Sequence, residues 1–263
     1  MTQDVWASGE AYETYMGRWS RRIATQFVAW LDAPAGLRWL DVGCGTGALT
    51  ATVLAAAEPA EIVGAEPSAG FLSTARARIT DPRASFQIAD ARAVPQPDER
   101  FDAVVSALVL NFVPEPEKAV AEWARVAAPG GTVATYLWDY IGGGMEFIRY
   151  FWDVAAELDP AVAELDEVRR FHINKPDPMR GLWEGAGLTD VKITSLETAT
   201  VFADFDDYWR PFLGGQGPAP GYAMAQPEER RAEIRNLLAQ RLPRDRDGSI
   251  PLVARAWAIR GTK

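Results

Sequence analysis

Residues 40–47 read Leu40-Asp41-Val42-Gly43-Cys44-Gly45-Thr46-Gly47, an apolar run ending in three alternating glycines, with a helical pattern directly behind. Such a turn lets backbone approach a ligand closely, a nucleotide-type cofactor being the default occupant. Gly43, Gly45 and Ala48 also satisfy the relaxed dinucleotide fingerprint, so the glycines alone leave a nicotinamide cofactor open. Three acids follow the loop's logic. Glu66 is placed to accept from adenosine ribose hydroxyls, which suits either kind of cofactor. Asp41, two residues before the first glycine, sits badly beside a pyrophosphate and well beside a cation-bearing ligand with an amino-acid tail. S-adenosylmethionine (SAM) is such a ligand, with a sulfonium, an ammonium and no phosphate. Asp90 can accept from an exocyclic adenine amino group.

The elements that must position these groups alternate as βαβ units of a parallel sheet. Apolar runs predict strands over residues 37–42, 61–66, 84–89, 101–107 and 131–137. Helical patterns fall between them at 48–57, 69–79 and 117–127. The last is opened by Pro116 and stopped by Pro129-Gly130-Gly131. A further helix over 21–31 puts Ile23, Phe27, Trp30 and Leu31 on one stripe. After residue 139 the rhythm changes. Gly142-Gly143-Gly144 is expected to be a flexible joint, followed by a helix carrying Phe147, Phe151 and Trp152 and a second helical piece over 161–171. The α/β pattern resumes with a helix at 178–186 and a strand at 191–200. Another helical insertion, at about 204–242, is interrupted by a loop over 214–221, and 251–260 is the final strand. The expectation is a single domain: an N-terminal lid and helix (1–36), a cofactor-binding core (37–138), a helical insertion (139–180) and a C-terminal part of the sheet (181–263) with its own insertion.

Five motifs stand in order: the loop of residues 40–47; Glu66 with Pro67 and Ser68; Asp90-Ala91; Phe101-Asp102-Ala103-Val104-Val105-Ser106; and Arg125-Val126-Ala127-Ala128-Pro129-Gly130-Gly131. Together they resemble the class I SAM-dependent methyltransferases, and within them the small-molecule branch that includes the ubiquinone/menaquinone-type enzymes. The resemblance covers residues 37–138. It implies an α/β, Rossmann-like sheet of seven strands, the last antiparallel, with helical insertions forming a lid. It implies SAM as cofactor, with Gly43, Gly45 and Gly47 as the loop backbone and Cys44 among them. Glu66, next to Pro67, would meet the ribose, Asp90 with Ala91 the adenine, and Ser106 the methionine portion. Tyr15-Met16-Gly17-Arg18-Trp19 resembles a lid segment of such enzymes, in which Arg18 would meet the methionine carboxylate. One departure is informative. The Asn/Asp-Pro-Pro-aromatic motif of the nucleic-acid amino methylases is replaced here by Ser106-Ala107-Leu108-Val109.

Composition narrows the partners. The 263 residues carry 27 Lys+Arg against 36 Asp+Glu, a net charge of −9, so the chain repels polyanions and nucleic acid is not an expected partner. With one cysteine, Cys44, and one histidine, His172, neither an internal disulfide nor a closed N/S metal site is available, and no metal is expected. The most hydrophobic stretch, 104–113, is too short to span a bilayer. The first thirty residues hold charges and no apolar run, so a cytoplasmic protein is expected. Abundant Ala, Gly, Pro and Arg with few lysines suggests a bacterium with GC-rich codons.

Methyl transfer from a sulfonium is an in-line displacement with an excellent leaving group, so positioning and water exclusion can carry much of the catalysis. A base is needed only where the acceptor must lose a proton, and His172 is the candidate. Cys44, inside the loop, reads as a small residue packed under the cofactor. Of the 10 Trp, 7 Tyr and 11 Phe, eleven fall in the two insertions, where they are expected to line an apolar acceptor pocket. Two other functions compete. A nicotinamide oxidoreductase is opposed by Asp41 and by the absence of any Tyr-x-x-x-Lys pair; a non-catalytic SAM-binding regulatory module leaves no distinguishing residue.

Overall fold

The structure, a computed structural model, describes residues 13–215 and 217–263; residues 1–12 of the expected N-terminal lid and Gln216 of the expected loop lie outside them. Seven strands form one sheet: β1 (Arg38–Val42), β2 (Glu61–Glu66), β3 (Ala84–Ile88), β4 (Phe101–Ala107), β5 (Ala127–Trp138), β6 (Thr189–Phe202) and β7 (Ile250–Thr262). Their order is β3-β2-β1-β4-β5-β7-β6. β1 pairs in parallel with both β2 and β4, which places its carboxyl end at the centre of the sheet's parallel part. The last strand is antiparallel, as the resemblance implied. Crossover helices are α1 (Arg18–Leu31), leading into β1, then α2 (Ala48–Ala56), α3 (Ala69–Arg78) and α4 (Pro116–Val126).

Chain contacts separate two compact units. The sheet unit comprises Ser20–Leu137, Ile173–Leu196 and Ala256–Lys263. Its core follows from the buried strands: Trp39, Leu40 and Val42 on β1 and Phe101, Val104 and Val105 on β4 are at most 1% exposed. α4 presents Ala119, Val120, Trp123 and Ala124 to that core. The Trp123 indole donates to the Ala91 carbonyl at 3.0 Å and lies edge-on to Trp183 of α7 (Pro176–Gly185), whose indole donates to Val133. Burying a large apolar side chain of this kind stabilises the fold by about 1.5–3 kcal/mol.

One expectation in this unit is corrected. The strand predicted at 131 begins at Ala127, immediately after α4, and runs through Pro129-Gly130-Gly131. Long-range pairing holds it: Ala127 opposes Phe101, the Gly130 N–H donates to the Lys263 carbonyl, and the Lys263 N–H returns to Gly131.

The insertion unit comprises, among the described residues, 13–19, Trp138–His172 and Glu197–Arg255. It holds α5 (Glu146–Leu158), α6 (Glu167–Arg170), α8 (Phe205–Trp209), α9 (Pro218–Ala225) and α10 (Glu228–Arg241). The piece expected as one helix over 161–171 is a 3-10 turn, Pro160–Glu164, followed by the short α6. Asp159 and Asp166 each accept a backbone N–H two residues on, so the segment starts twice. The expected loop over 214–221 is shorter than its composition suggested, because Pro218 opens α9.

Aromatic rings form this unit's core. Phe147 meets Tyr15, Phe202, Tyr208 and Phe212 with ring centroids between 4.8 and 5.6 Å. Phe151 stacks on Phe212 at 4.6 Å, and the Tyr208 hydroxyl donates to the Phe147 carbonyl. Such pairs contribute about 0.5–1.5 kcal/mol each beyond burial. Rings expected to line an acceptor pocket thus pack mainly on one another.

Gly142-Gly143-Gly144, expected to be a flexible joint, is instead closed over an ion pair. Arg255 donates to the buried Asp139 carboxylate, which also accepts from the Gly142 N–H. A side-chain carbon at Gly142 would lie 2.5 Å from that carboxylate, and one at Gly144 would lie 2.7 Å from Arg255.

Candidate active site

β1 delivers the glycine loop and α2 receives it. The Gly43 and Cys44 N–H groups both donate to the Ala65 carbonyl at the end of β2, at 2.7 and 3.1 Å, folding the loop back over the strand ends. Gly43 and Gly47 are each pressed against a neighbour. A side-chain carbon at Gly43 would meet Val109 at 2.7 Å, and one at Gly47 would meet Ile79 at 2.5 Å. Gly45 is the opposite case: its φ is +54°, and a side-chain carbon there would meet nothing within 4 Å. This is the face on which a ligand can approach backbone.

Glu66, 7% exposed, accepts from the Gly45 N–H at 3.2 Å and the Ser68 N–H at 2.9 Å. Burial raises its carboxyl above the usual range, against those two hydrogen bonds. The next residue, Pro67, is exposed. Asp41 is wholly buried behind the loop. Its Oδ2 accepts from the Thr50 hydroxyl of α2 at 2.7 Å, while Oδ1 is buried with no hydrogen-bond partner. Burial pushes this carboxyl up to about 7, with the Glu66 charge adding to the rise and Thr50 opposing it. Cys44 is 6% exposed, its sulfur close beside Gly64, and burial raises its thiol. It is a packed thiol, not an activated nucleophile.

Beyond β3, Asp90 is exposed and bound by the Arg92 guanidinium through Nε at 2.9 Å and Nη2 at 2.6 Å. That pairing holds its carboxyl at about 2. Ala91 beside it is 9% exposed and anchored through its carbonyl to Trp123. Ser106, at the end of β4, is fully buried, and its hydroxyl donates to the Val42 carbonyl at 2.7 Å, joining the carboxyl ends of β4 and β1.

The sheet unit therefore brings together Asp41, the glycine loop, Glu66 and Ser106 at neighbouring strand ends. Two other expected residues belong to the insertion unit. Arg18 pairs with Asp207 at 3.0 Å, with its guanidinium 4.4 Å from the Trp19 ring centroid and 4.6 Å from that of Phe202. His172 is exposed in the turn after α6. Among the described residues no group of three or more His, Cys, Asp or Glu could hold a metal ion.

Several participants escaped sequence reasoning. Thr50 is the donor to Asp41; its place in the first turn after the loop was the available signal. Leu108 adopts φ of +61°, a left-handed conformation that is strained for leucine, and it directs Val109 at Gly43. The amide nitrogen of Asn111, the lone amide in the apolar run after β4, is buried without a partner.

The site suits a nucleoside ligand that carries positive charge, since two buried carboxyls stand at the loop. Residues 40–135 match the family described as "Methyltransferase domain". The chain is also similar to methyltransferase GfsG of Streptomyces halstedii, at 33% identity over 208 residues that cover 75% of this chain and 71% of that protein. The chain is a class I SAM-dependent methyltransferase. Demethylmenaquinone methyltransferase of Clavibacter sepedonicus is 42% identical over 100 residues, 38% of this chain and 40% of that one. In fold the methyltransferase is similar to Haemonchus contortus phosphoethanolamine N-methyltransferase 2 in complex with SAM, with a TM-score of 0.58 at 15% identity, covering 97% of this chain and 56% of that one. SAM is the cofactor of this methyltransferase. Its sequence contains what the group needs: an open backbone edge at Gly45, a carboxyl at Glu66, and a buried oxygen of Asp41 with no hydrogen-bond partner. Neither competing function gains support. Among the described residues no helix is long and apolar enough to cross a membrane.

Proposed function

We propose that this methyltransferase acts on a small, fairly apolar acceptor by in-line displacement, and that the chain works as one methyltransferase domain. The observation that carries the cofactor half is the pair of buried carboxyls, Asp41 and Glu66, bracketing an open glycine turn. When bound, SAM would supply an electrophilic methyl group on a sulfonium, a good leaving group for displacement by the acceptor. The chain's own residues position and shield. Gly43, Gly45 and Gly47 shape the backbone edge, Glu66 takes the ribose hydroxyls, and Asp90 with Ala91 bounds the adenine. His172 is the base we propose where the acceptor must release a proton.

The acceptor half is supported by the names of the relatives, which include a demethylmenaquinone methyltransferase, and by the net charge of −9, which opposes nucleic-acid acceptors. We place the protein in a bacterial cytoplasm, a reading supported by its bacterial relatives and GC-rich codon signature. Calorimetric titration with SAM, S-adenosylhomocysteine (SAH) and NAD(P) tests the cofactor, and binding of NAD(P) alone would overturn it. A panel of phenolic, quinol, amine and thiol acceptors, read by SAH release, tests the acceptor class. Turnover only on oligonucleotides would sink it.

A further inference from the structure

We infer that Arg92 is a positioning residue for cofactor selection: it holds the Asp90 carboxylate as a fixed reader of one amino group, so that the site takes an adenine and turns away its deaminated counterpart. The inference rests on the reading that Asp90 meets the adenine.

The loop that carries Asp90 is tied down by one helix. Glu115, Lys118, Glu122 and Arg125 are spaced by three, four and three residues, a stripe along one face of α4 that would ordinarily be solvated. Here it grips the segment between β3 and β4. Glu122 accepts from the Val94 N–H at 2.8 Å, and Arg125 donates to the Val94 carbonyl at 3.2 Å and the Gln96 carbonyl at 3.1 Å. Trp123, on the adjoining apolar stripe, holds the Ala91 carbonyl. Upstream, the Ala89 N–H donates to the Glu66 carbonyl at 3.3 Å. The backbone around Asp90 is thus fixed, and its side-chain torsions are the freedom that remains.

Arg92 removes that freedom. Oδ1 of Asp90 accepts from the Arg92 backbone N–H at 2.8 Å and from its Nε at 2.9 Å, while Oδ2 accepts from Nη2 at 2.6 Å. A carboxylate has about four acceptor positions, so the one left open is on Oδ2. Pairing with Arg92 holds the carboxyl at about 2, so it accepts and does not donate. Such a group suits an N–H donor and repels a carbonyl oxygen. Arg92 is itself held from the far side. Glu115 accepts from its Nη1 at 3.5 Å and pairs in turn with Lys118. Glu115 adopts φ of +57°, a left-handed conformation that is costly for a residue with a side chain.

The same molecule contains a control. Asp81 and Arg83, ahead of β3, repeat the pair: Oδ1 accepts from the Arg83 backbone N–H at 2.9 Å and Nε at 3.0 Å, and Oδ2 from Nη2 at 2.7 Å. The turn is therefore favourable locally. What distinguishes Asp90 is its place beyond the carboxyl end of β3, where ligands bind in such sheets, and the Glu115 contact behind Arg92.

Competitive calorimetric titration of SAH and S-inosylhomocysteine, whose base carries a carbonyl oxygen in place of the amino group, reads the selectivity; thermal unfolding reads stability. A hydrogen bond to a charged group corresponds to about ten- to a hundredfold in affinity, which is the preference for SAH expected of the wild type. Arg92→Ala should lower that preference about three- to tenfold, chiefly by weakening SAH. Its melting temperature should stay close to wild type, because the pair is largely exposed. Arg92→Lys should resemble Arg92→Ala, since an ammonium supplies the charge without the fork. Arg83→Ala should change stability as little and leave the preference intact. Asp90→Asn, whose amide can turn an N–H toward the carbonyl oxygen, should abolish the preference. An intact preference in Arg92→Ala, an equal fall in Arg83→Ala or full recovery in Arg92→Lys overturns the inference. An intact preference in Asp90→Asn is a different result, and removes Asp90 from the adenine site.

Discussion

Arg255 closes on Asp139 through two donors, Nε at 2.7 Å and Nη2 at 2.5 Å, with the carboxylate only 1% exposed and the arginine backbone tied to both Asp139 and Gly144. Removing one member leaves an uncompensated buried charge, which costs about 3–5 kcal/mol. Arg255→Met should therefore lower the urea midpoint more than Asp139→Asn, whose amide still accepts from the Gly142 N–H. Gly142→Ala should also destabilise, by about 1–3 kcal/mol, because its new carbon collides with the carboxylate. Wild-type stability in all three would show that the glycine run is a loose joint after all.

Glu167 predicts a pH dependence of stability. It is 1% exposed and its carboxyl accepts from the Trp152 indole; burial pushes it up to about 8. A folded pKa raised above the unfolded value stabilises at low pH, and that stability is lost as pH rises from about 4.5 through 8. Glu167→Gln keeps an acceptor for Trp152 and carries no charge. Its unfolding free energy from urea titration should match wild type near pH 4 and exceed it near pH 9 by an amount on the order of a few kcal/mol. Parallel stability curves for the two proteins would refute this.

Gly43 and Val109 should behave as a coupled pair. Val109 is β-branched and cannot swing aside, so Gly43→Ala should destabilise by roughly 2–3 kcal/mol and weaken SAH binding. Adding Val109→Ala opens the space and should restore part of both, leaving the residual strain of alanine at a positive φ. A double-mutant cycle with no coupling energy is the contrary result.

Arg18 and Asp207 are both partly exposed, so their ion pair alone contributes at most about 1 kcal/mol. Arg18 also lies against two aromatic rings. Arg18→Ala should therefore lower the melting temperature more than Asp207→Asn, with Arg18→Lys between them.

Much of the sheet is readable from local sequence. Residues 61–66 and 101–107 become strands at the expected bounds because each is a short apolar run that the sheet buries on both faces. The start of β5 is not readable, since it depends on Lys263, more than a hundred residues away. Nor is the order in 139–145, where glycines that look permissive are fixed by Arg255. At the site, the glycine loop and its acids stand out because their chemistry lies in residue type. The unpartnered state of Asp41 Oδ1 and Asn111 Nδ2 is a property of what packs around them. The aromatic residues illustrate the same limit: the sequence places eleven of them in the insertions, but only geometry shows the rings facing each other.

The shut-in thiol of Cys44 has a practical consequence. Since the chain has no other cysteine, a single cysteine placed at any exposed position would be the sole group to react with a maleimide dye, with no background from the native protein. A pair of such labels, one in each compact unit, would follow their separation during turnover in single molecules without first stripping the sequence of its own thiol.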